Sequence, residues 1–191
     1  MKPAVFLDRD GTIVEDVGYL DRLERLHIFP YAIDAIRLLR RAGYLAIVVT
    51  NQAGVARGVV DEAFIGEAHR HLDERFAAGG TGIDAYYYCP HLVDAPLEQY
   101  RRSCDCRKPL PGMVRQAERD FGVDVARSWV IGDKWLDIEL GKATGAKTIL
   151  VRTGYGATEE RRPRPGVTPD AICTNLIEAA AWILRQGGDV A

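Results

Sequence analysis

Two aspartates one residue apart, Asp8 and Asp10, close an apolar run from Ala4 to Leu7 and open onto Gly11-Thr12. Carboxylates this close repel unless a cation or a shared proton lies between them. A hard divalent cation such as Mg2+, which takes oxygen ligands and keeps waters and substrate phosphate, is the simplest way to hold both ionised. Further along come Thr50-Asn51, Arg107-Lys108, and Gly132-Asp133 with Lys134 and Asp137 just behind. Together these types suit phosphoryl transfer. One carboxylate attacks phosphorus, and its neighbour Asp10 protonates the leaving oxygen and later deprotonates water. Mg2+ on Asp8, Asp10 and Asp133 supplies positive charge, with Lys108 and Arg107 on the equatorial oxygens. Thr50 adds a neutral donor.

A second constellation is Cys89-Pro-His91 with Cys104-Asp-Cys106. Three sulfurs and one imidazole make a closed tetrahedral Zn2+ site, structural rather than catalytic. The residues between have little apolar content, so the metal supplies order that burial cannot. A Cys104–Cys106 disulfide is the competing use. The loop runs straight into Arg107-Lys108, so its metal would fix the backbone that presents two cations.

The elements that must position these residues alternate strand and helix. Ala4–Leu7 and Leu45–Val49 lack the alternation of a half-wet strand and read as parallel strands buried on both faces. Strands follow at Ile83–Tyr88, Trp129–Ile131 and Thr148–Val151, with a short edge strand at Ala171–Cys173. Helices are expected from Pro30 to Gly43 with Ile33, Ile36, Leu38 and Leu39 inward, and from Asp61 to Gly79. Others are expected from Pro111 with Met113, Val114, Ala117 and Phe121 inward, from Lys134 to Thr144, and from Asn175 to Gln186. Residues 14–29 and 153–169 read as loops. This order predicts a three-layer α/β/α sandwich with a mainly parallel, Rossmann-like sheet. The polar residues then share one rim, beyond the carboxyl ends of the strands. The gaps on either side of Thr50 are too small for a separate cap domain, so residues 1–191 are expected to form one domain with a metal loop at 89–107.

Composition narrows the partners. The 191 residues carry 25 Lys plus Arg against 27 Asp plus Glu, a net charge of -2, which gives no electrostatic reason to expect nucleic acid or an anionic membrane. No apolar stretch approaches a membrane span, and Met1-Lys2-Pro3 leaves no room for a signal peptide. A cytoplasmic monomer acting on a small phosphorylated molecule is the expectation. Four cysteines there are expected as ligands or packing residues rather than disulfides.

Asp8-x-Asp10-Gly-Thr, Thr50-Asn51, Lys108 and Gly132-Asp133-x-x-x-Asp137 resemble, in order, the four motifs of the haloacid dehalogenase superfamily of phosphohydrolases. The resemblance implies an HAD-like fold, Asp8 as nucleophile, Asp10 as acid/base, and Lys108 as the phosphate-stabilising lysine. It places Mg2+ on the carboxylates of Asp8 and Asp133 and on the Asp10 carbonyl. The cysteine loop followed by Arg-Lys-Pro is similar to two families, the D-glycero-D-manno-heptose 1,7-bisphosphate 7-phosphatases and the histidinol-phosphate phosphatases. The long stretch from His91 to Cys104 resembles the first. That resemblance implies a sugar phosphate lined by Asp16, Gly18, Tyr19, Thr50, Asn51, Gln52, Ala53, Arg107, Lys108 and Lys134. Ala53 departs from a frequent Ser, and Trp135-Leu136 is bulkier than expected near substrate. Histidinol phosphate is the alternative substrate. A phosphoacceptor signalling module is the alternative of another class, although such a module needs neither the second aspartate nor a metal loop.

Overall fold

The structure, a computed structural model, describes residues 1–186. Six parallel strands form one sheet: β1 (Ala4–Leu7), β2 (Leu45–Asn51), β3 (Ala85–Cys89), β4 (Trp129–Gly132), β5 (Lys147–Val151) and β6 (Ala171–Cys173), in the order β3-β2-β1-β4-β5-β6. Seven helices connect them: α1 (Ala32–Arg41), α2 (Ala53–Ala56), α3 (Glu62–Ala78), α4 (Gly112–Phe121), α5 (Trp135–Thr144), α6 (Gly156–Glu160) and α7 (Leu176–Gln186).

Alternation along β1 explains the three layers. Val5 and Leu7 pack with Ala35, Ile36 and Leu39 of α1, Leu72 and Phe76 of α3, and Ile183 of α7. Ala4 and Phe6 face the other way, onto Met113, Val114 and Ala117 of α4 and Leu140 of α5. All four residues of β1 are fully buried, which is why the run shows no polar alternation. β1 pairs with β2 on one side and β4 on the other. The strand order reverses at β1, and in such sheets the crevice for ligand opens beyond the carboxyl ends at that reversal.

Local chemistry sets the helix limits. Asp61 caps α3, its side chain accepting from the Phe64 N–H at 2.8 Å. Gly122 and Gly145 end α4 and α5 in the left-handed conformation. Several sequence expectations are corrected. α1 begins at Ala32 rather than Pro30, and β3 at Ala85 rather than Ile83. Leu38 and Phe121, expected to face inward, are exposed. Leu38 lies off the stripe of Ala32, Ala35, Ile36 and Leu39, and Phe121 is the last residue of α4. Residues 153–169 are not all loop: they contain α6, and their first residues fold back over the rim. α2, a single turn directly after β2, was not foreseen. Among the described residues no helix is long and apolar enough to cross a membrane.

Candidate active site

Asp8 and Asp10 follow β1, Thr50 and Asn51 end β2, and Asp133 follows β4. Lys108 arrives from the segment between β3 and α4, and Asp137 sits in the first turn of α5. All but Asp133, which lies fully buried beside them, line one cavity together with Asp16, Gly18, Arg107, Lys134 and Leu136.

At its floor the Lys108 ammonium is 4% exposed. Its three donors are all used: Asp8 Oδ1 at 2.9 Å, Asp137 Oδ1 at 2.6 Å and the Val49 carbonyl at 2.9 Å. Burial alone would push its pKa down, but Asp137 and Asp8 more than offset this and raise it. Burial likewise pushes the Asp8 carboxyl up, and Lys108 and then Lys134 outweigh that, holding it below the usual carboxylate range. Asp137 is doubly employed: one oxygen meets Lys108, the other accepts from the Lys134 backbone N–H at 3.2 Å. Burial still leaves its pKa raised to about 6.

Asp133 is fully buried, and burial, with repulsion from Asp8, pushes its pKa up to about 8. Its Oδ2 accepts from the Tyr155 N–H at 2.8 Å, while its Oδ1 is buried with no hydrogen-bond partner. Asp8, Asp133 and Asp137 offer oxygens within 4.8 Å of one another. Two positive-φ glycines, Gly11 and Gly154, wall the Asp133 carboxylate. A Cβ on either would meet its Oδ2 within 2.3 Å.

The Asp10 carboxylate does not join this cluster. Arg9 grips it through Nε and Nη2, with Nη2–Oδ2 at 2.9 Å, and the Gln52 amide donates to it at 2.9 Å. This corrects the expectation of its side chain as a cation ligand; the backbone carbonyl is the part left for that role. Asp16 and Lys134 pair at 2.9 Å across the mouth, with Lys134 4.8 Å above the Tyr155 ring. Asn51 grips the Lys108 backbone at two points, accepting from its N–H at 3.0 Å and donating to its carbonyl at 3.2 Å. Arg107 reaches back to the His91 carbonyl at 3.2 Å. Tyr19, Gln52 and Ala53 stand outside the cavity wall. Tyr19 packs over Gly54, where a Cβ would meet its ring at 3.2 Å.

Beside the cavity, Cys89, His91, Cys104 and Cys106 bring their ligand atoms within 4.8 Å of one another. Cys104 Sγ lies 3.5 Å from Cys89 Sγ and 3.4 Å from Cys106 Sγ, and His91 Nδ1 lies 3.3 Å from Cys106 Sγ. Roughly 3.3–3.8 Å between donors is the edge of a tetrahedron around Zn2+ with bonds of about 2.0–2.3 Å. None of the four cysteines is in a disulfide.

The geometry has close counterparts. A family model described as HAD-hydrolase-like matches residues 105–179. The D-glycero-beta-D-manno-heptose-1,7-bisphosphate 7-phosphatase of Salmonella typhi is 42% identical over 98% of this chain and 93% of its own length. The phosphatase of the same name from Escherichia coli K12 is 39% identical over 98% and 91%. The chain belongs to this family. Among solved structures, the D,D-heptose 1,7-bisphosphate phosphatase of B. bronchiseptica, complexed with magnesium and phosphate, superposes with a TM-score of 0.86 at 31% identity, covering 97% of this chain and 99% of that one.

Several residues that shape this family member's site were not singled out from the sequence. Arg9 sits between the two motif aspartates and is 1% exposed; an arginine beside Asp8 and Asp10 was itself the available signal. Thr153, which donates to the Gly11 carbonyl at 2.6 Å, and Tyr155 come from a Gly- and Arg-rich segment with no periodic pattern. Nothing local marked them.

Proposed function

We propose that the chain hydrolyses the 7-phosphate of D-glycero-D-manno-heptose 1,7-bisphosphate, leaving the heptose 1-phosphate, through a phosphoryl group carried on Asp8. The observation that carries this reading is the convergence of Asp8, Asp10, Thr50 and Lys108 on one cavity, in a chain of the heptose bisphosphate phosphatase family. The relatives' name and the long cysteine loop favour the heptose ester over histidinol phosphate.

The charges call for a divalent cation. Asp8, Asp10, Asp16, Asp133 and Asp137 stand around the site with Arg9, Arg107, Lys108 and Lys134 as its cations among the described residues, and the incoming phosphate is itself a dianion. The orphaned Asp133 Oδ1 and the crowding of Asp8 against Asp133 fit Mg2+. Asp8, Asp133 and the Asp10 carbonyl would hold it, and when bound it supplies positive charge against the phosphoryl oxygens.

The protein's groups do the rest. Asp8, ionised because Lys108 outweighs its burial, attacks phosphorus, and the bond from phosphorus to O7 breaks. Asp10 gives its proton to O7. Water then attacks the acyl phosphate, and Asp10 takes the water's proton, which restores both carboxyl groups. Arg107 and the Thr50 hydroxyl face the phosphoryl oxygens as their charge is redistributed, and Lys108 adds its positive charge beside them, its donor to Asp8 being released as that oxygen bonds phosphorus. Asp16, Gly18, Asn51 and Lys134 line the space left for the sugar, with Tyr19, Gln52 and Ala53 supporting it from behind.

Zn2+ held by Cys89, His91, Cys104 and Cys106 keeps the loop at 89–107 in shape. We read residues 1–191 as one monomeric domain with no separate cap, and its reduced thiols suit a cytoplasmic setting. Phosphate release from the heptose bisphosphate and from histidinol phosphate, with Mg2+ present, is the deciding assay. Higher kcat/KM on the heptose ester is expected, with turnover lost by at least about 10⁴-fold in Asp8→Asn. Preference for histidinol phosphate, or full turnover by that variant, would overturn the reading.

A further inference from the structure

Gln52 follows β2, is 8% exposed, and does not line the cavity, although Thr50 and Asp10, which it touches, both do. Its amide makes three hydrogen bonds. Oε1 accepts from Arg9 Nη2 at 3.0 Å, and Nε2 donates to Asp10 Oδ2 at 2.9 Å and to Thr50 Oγ1 at 2.8 Å. An amide in isolation can face either way. Here it cannot, because a guanidinium only donates. The carbonyl end of Gln52 must face Arg9, which leaves the NH2 end to Asp10 and Thr50. Arg9 is 1% exposed, so water does not compete for its donors. Thr50 is likewise 1% exposed. A threonine hydroxyl owns one hydrogen, and since its oxygen already accepts from Gln52, that hydrogen is free to point into the cavity.

We propose that Arg9 and Gln52 are positioning residues that set the direction of the hydrogen bonds at this site. Arg9 fixes the Gln52 amide, Gln52 makes Thr50 accept on its buried side, and Thr50 therefore presents its hydrogen to a phosphoryl oxygen. The same amide pins the carboxylate of Asp10. The inference rests on the phosphatase reading only so far as the cavity takes a phosphoryl group. It removes Gln52 from direct contact with substrate and gives it a role through its two neighbours.

Two near-isosteric variants separate polarity from packing. Gln52→Glu keeps an oxygen for Arg9 but has no donor, so the Thr50 hydrogen turns back to the new carboxylate. Gln52→Met has neither, and leaves that hydrogen free. On the heptose bisphosphate, kcat should fall about 100-fold for Gln52→Glu and only about 5- to 10-fold for Gln52→Met, with KM little changed in the latter. A loss with Met equal to or greater than that with Glu overturns the proposal. Because the glutamate also adds charge, the pair is repeated in Thr50→Val. There the Gln52→Glu step should cost several-fold less; an equal cost in both backgrounds assigns the loss to charge alone and overturns the relay. Binding of orthovanadate with Mg2+, followed by calorimetry, should rank the variants in the same order, and a reversed order counts against the relay. That measurement does not depend on which ester is hydrolysed. A wild type inert on the heptose bisphosphate therefore defeats the functional reading, while the relay is judged on vanadate. Melting curves check folding. If Gln52→Glu does not fold, Gln52→Met is compared with Thr50→Val: the valine variant should lose more turnover, and the opposite result overturns the proposal.

Discussion

The two ligand clusters of this molecule lie side by side but are held in opposite ways. Asp8 and Asp133 sit at the ends of buried strands, Lys108 reaches them from the segment before α4, and all three are 5% exposed or less. Their positions are settled by the parallel register of β1 and β4 and by ion pairs inside the fold. Cys89 ends β3, but His91, Cys104 and Cys106 lie on irregular backbone that is largely partly exposed. Exposed apolar residues such as Val93 and Leu97 stand on that loop rather than beneath it. The carboxylate cluster would keep its shape without a cation and change only its charge balance. The cysteine cluster would lose what orders it. The first site would bind an ion because the fold has already brought its ligands together; the second would need an ion for its ligands to stay together.

The strongest way to break this contrast is to damage the exposed cluster and watch the buried one. Cys106→Ser should lower bound Zn2+ from one per chain to none by elemental analysis. The loop carries Arg107-Lys108 directly behind Cys106, so the phosphate-binding cations should shift. A displacement of about 1 Å at such groups costs on the order of 100-fold in rate, and that is the expected fall in kcat/KM. Far-ultraviolet circular dichroism should change little, since the sheet does not depend on the loop. Zinc-free protein with full turnover would show that the loop is only an appendage.

A smaller effect sharpens the contrast at the joint between the two regions. Asn51 pairs in register with Cys89 of the cysteine cluster, and its side chain clamps both polar atoms of the Lys108 backbone. The single side chain therefore ties the buried strand end to the exposed loop. Asn51→Leu keeps the volume and removes both hydrogen bonds, each worth about 1 kcal/mol net. A fall of about 10- to 30-fold in kcat is expected, with Zn2+ content unchanged. If instead KM rises while kcat holds, Asn51 contacts the sugar and the clamp is incidental.

The contrast also explains what the sequence made legible. Asp8, Thr50 and Asp133 could be brought to one rim from the strand pattern alone, because an apolar run that ends in a polar residue states where its strand stops; Lys108 was placed there only by its position before a helix. The cysteine quartet was readable for a different reason: four good ligands close in sequence have few other uses. Arg9, Gln52 and Tyr155 were harder. Whether a side chain faces substrate or its own neighbours depends on contacts between β1, β2 and the segment after β5, and those distances are not written in any local pattern. Gln52 was accordingly placed on the substrate, whereas its amide is spent on Arg9, Asp10 and Thr50. Asp10 was offered as a cation ligand by its side chain for the same reason.

The smallest expected effect is on stability, in protein stripped of Mg2+ by chelation. Burial first, and then the charge of Asp8, raise the Asp133 carboxyl to about 8, and burial raises that of Asp137 to about 6, both from an ordinary 3.8. Between those values and 3.8 the folded state binds more protons than the unfolded state. These two carboxyls therefore lower stability as pH rises from about 4 to about 8; His69, whose pKa burial lowers to about 3, acts the other way up to its ordinary 6.5, so the net decline is read above that pH. The Asp8 carboxyl, shifted downward, contributes in the opposite sense, but only near and below pH 4. The melting temperature of the chelated protein should drop by a few degrees from pH 6.5 to 8. Added Mg2+ takes the place of the protons between Asp8 and Asp133, so the stabilisation it confers should grow over the same interval. Equal Mg2+ stabilisation at both ends would mean that these carboxylates are already ionised without the cation. The buried cluster would then owe its shape to the ion as much as the cysteine loop does, and the contrast between the two sites would close.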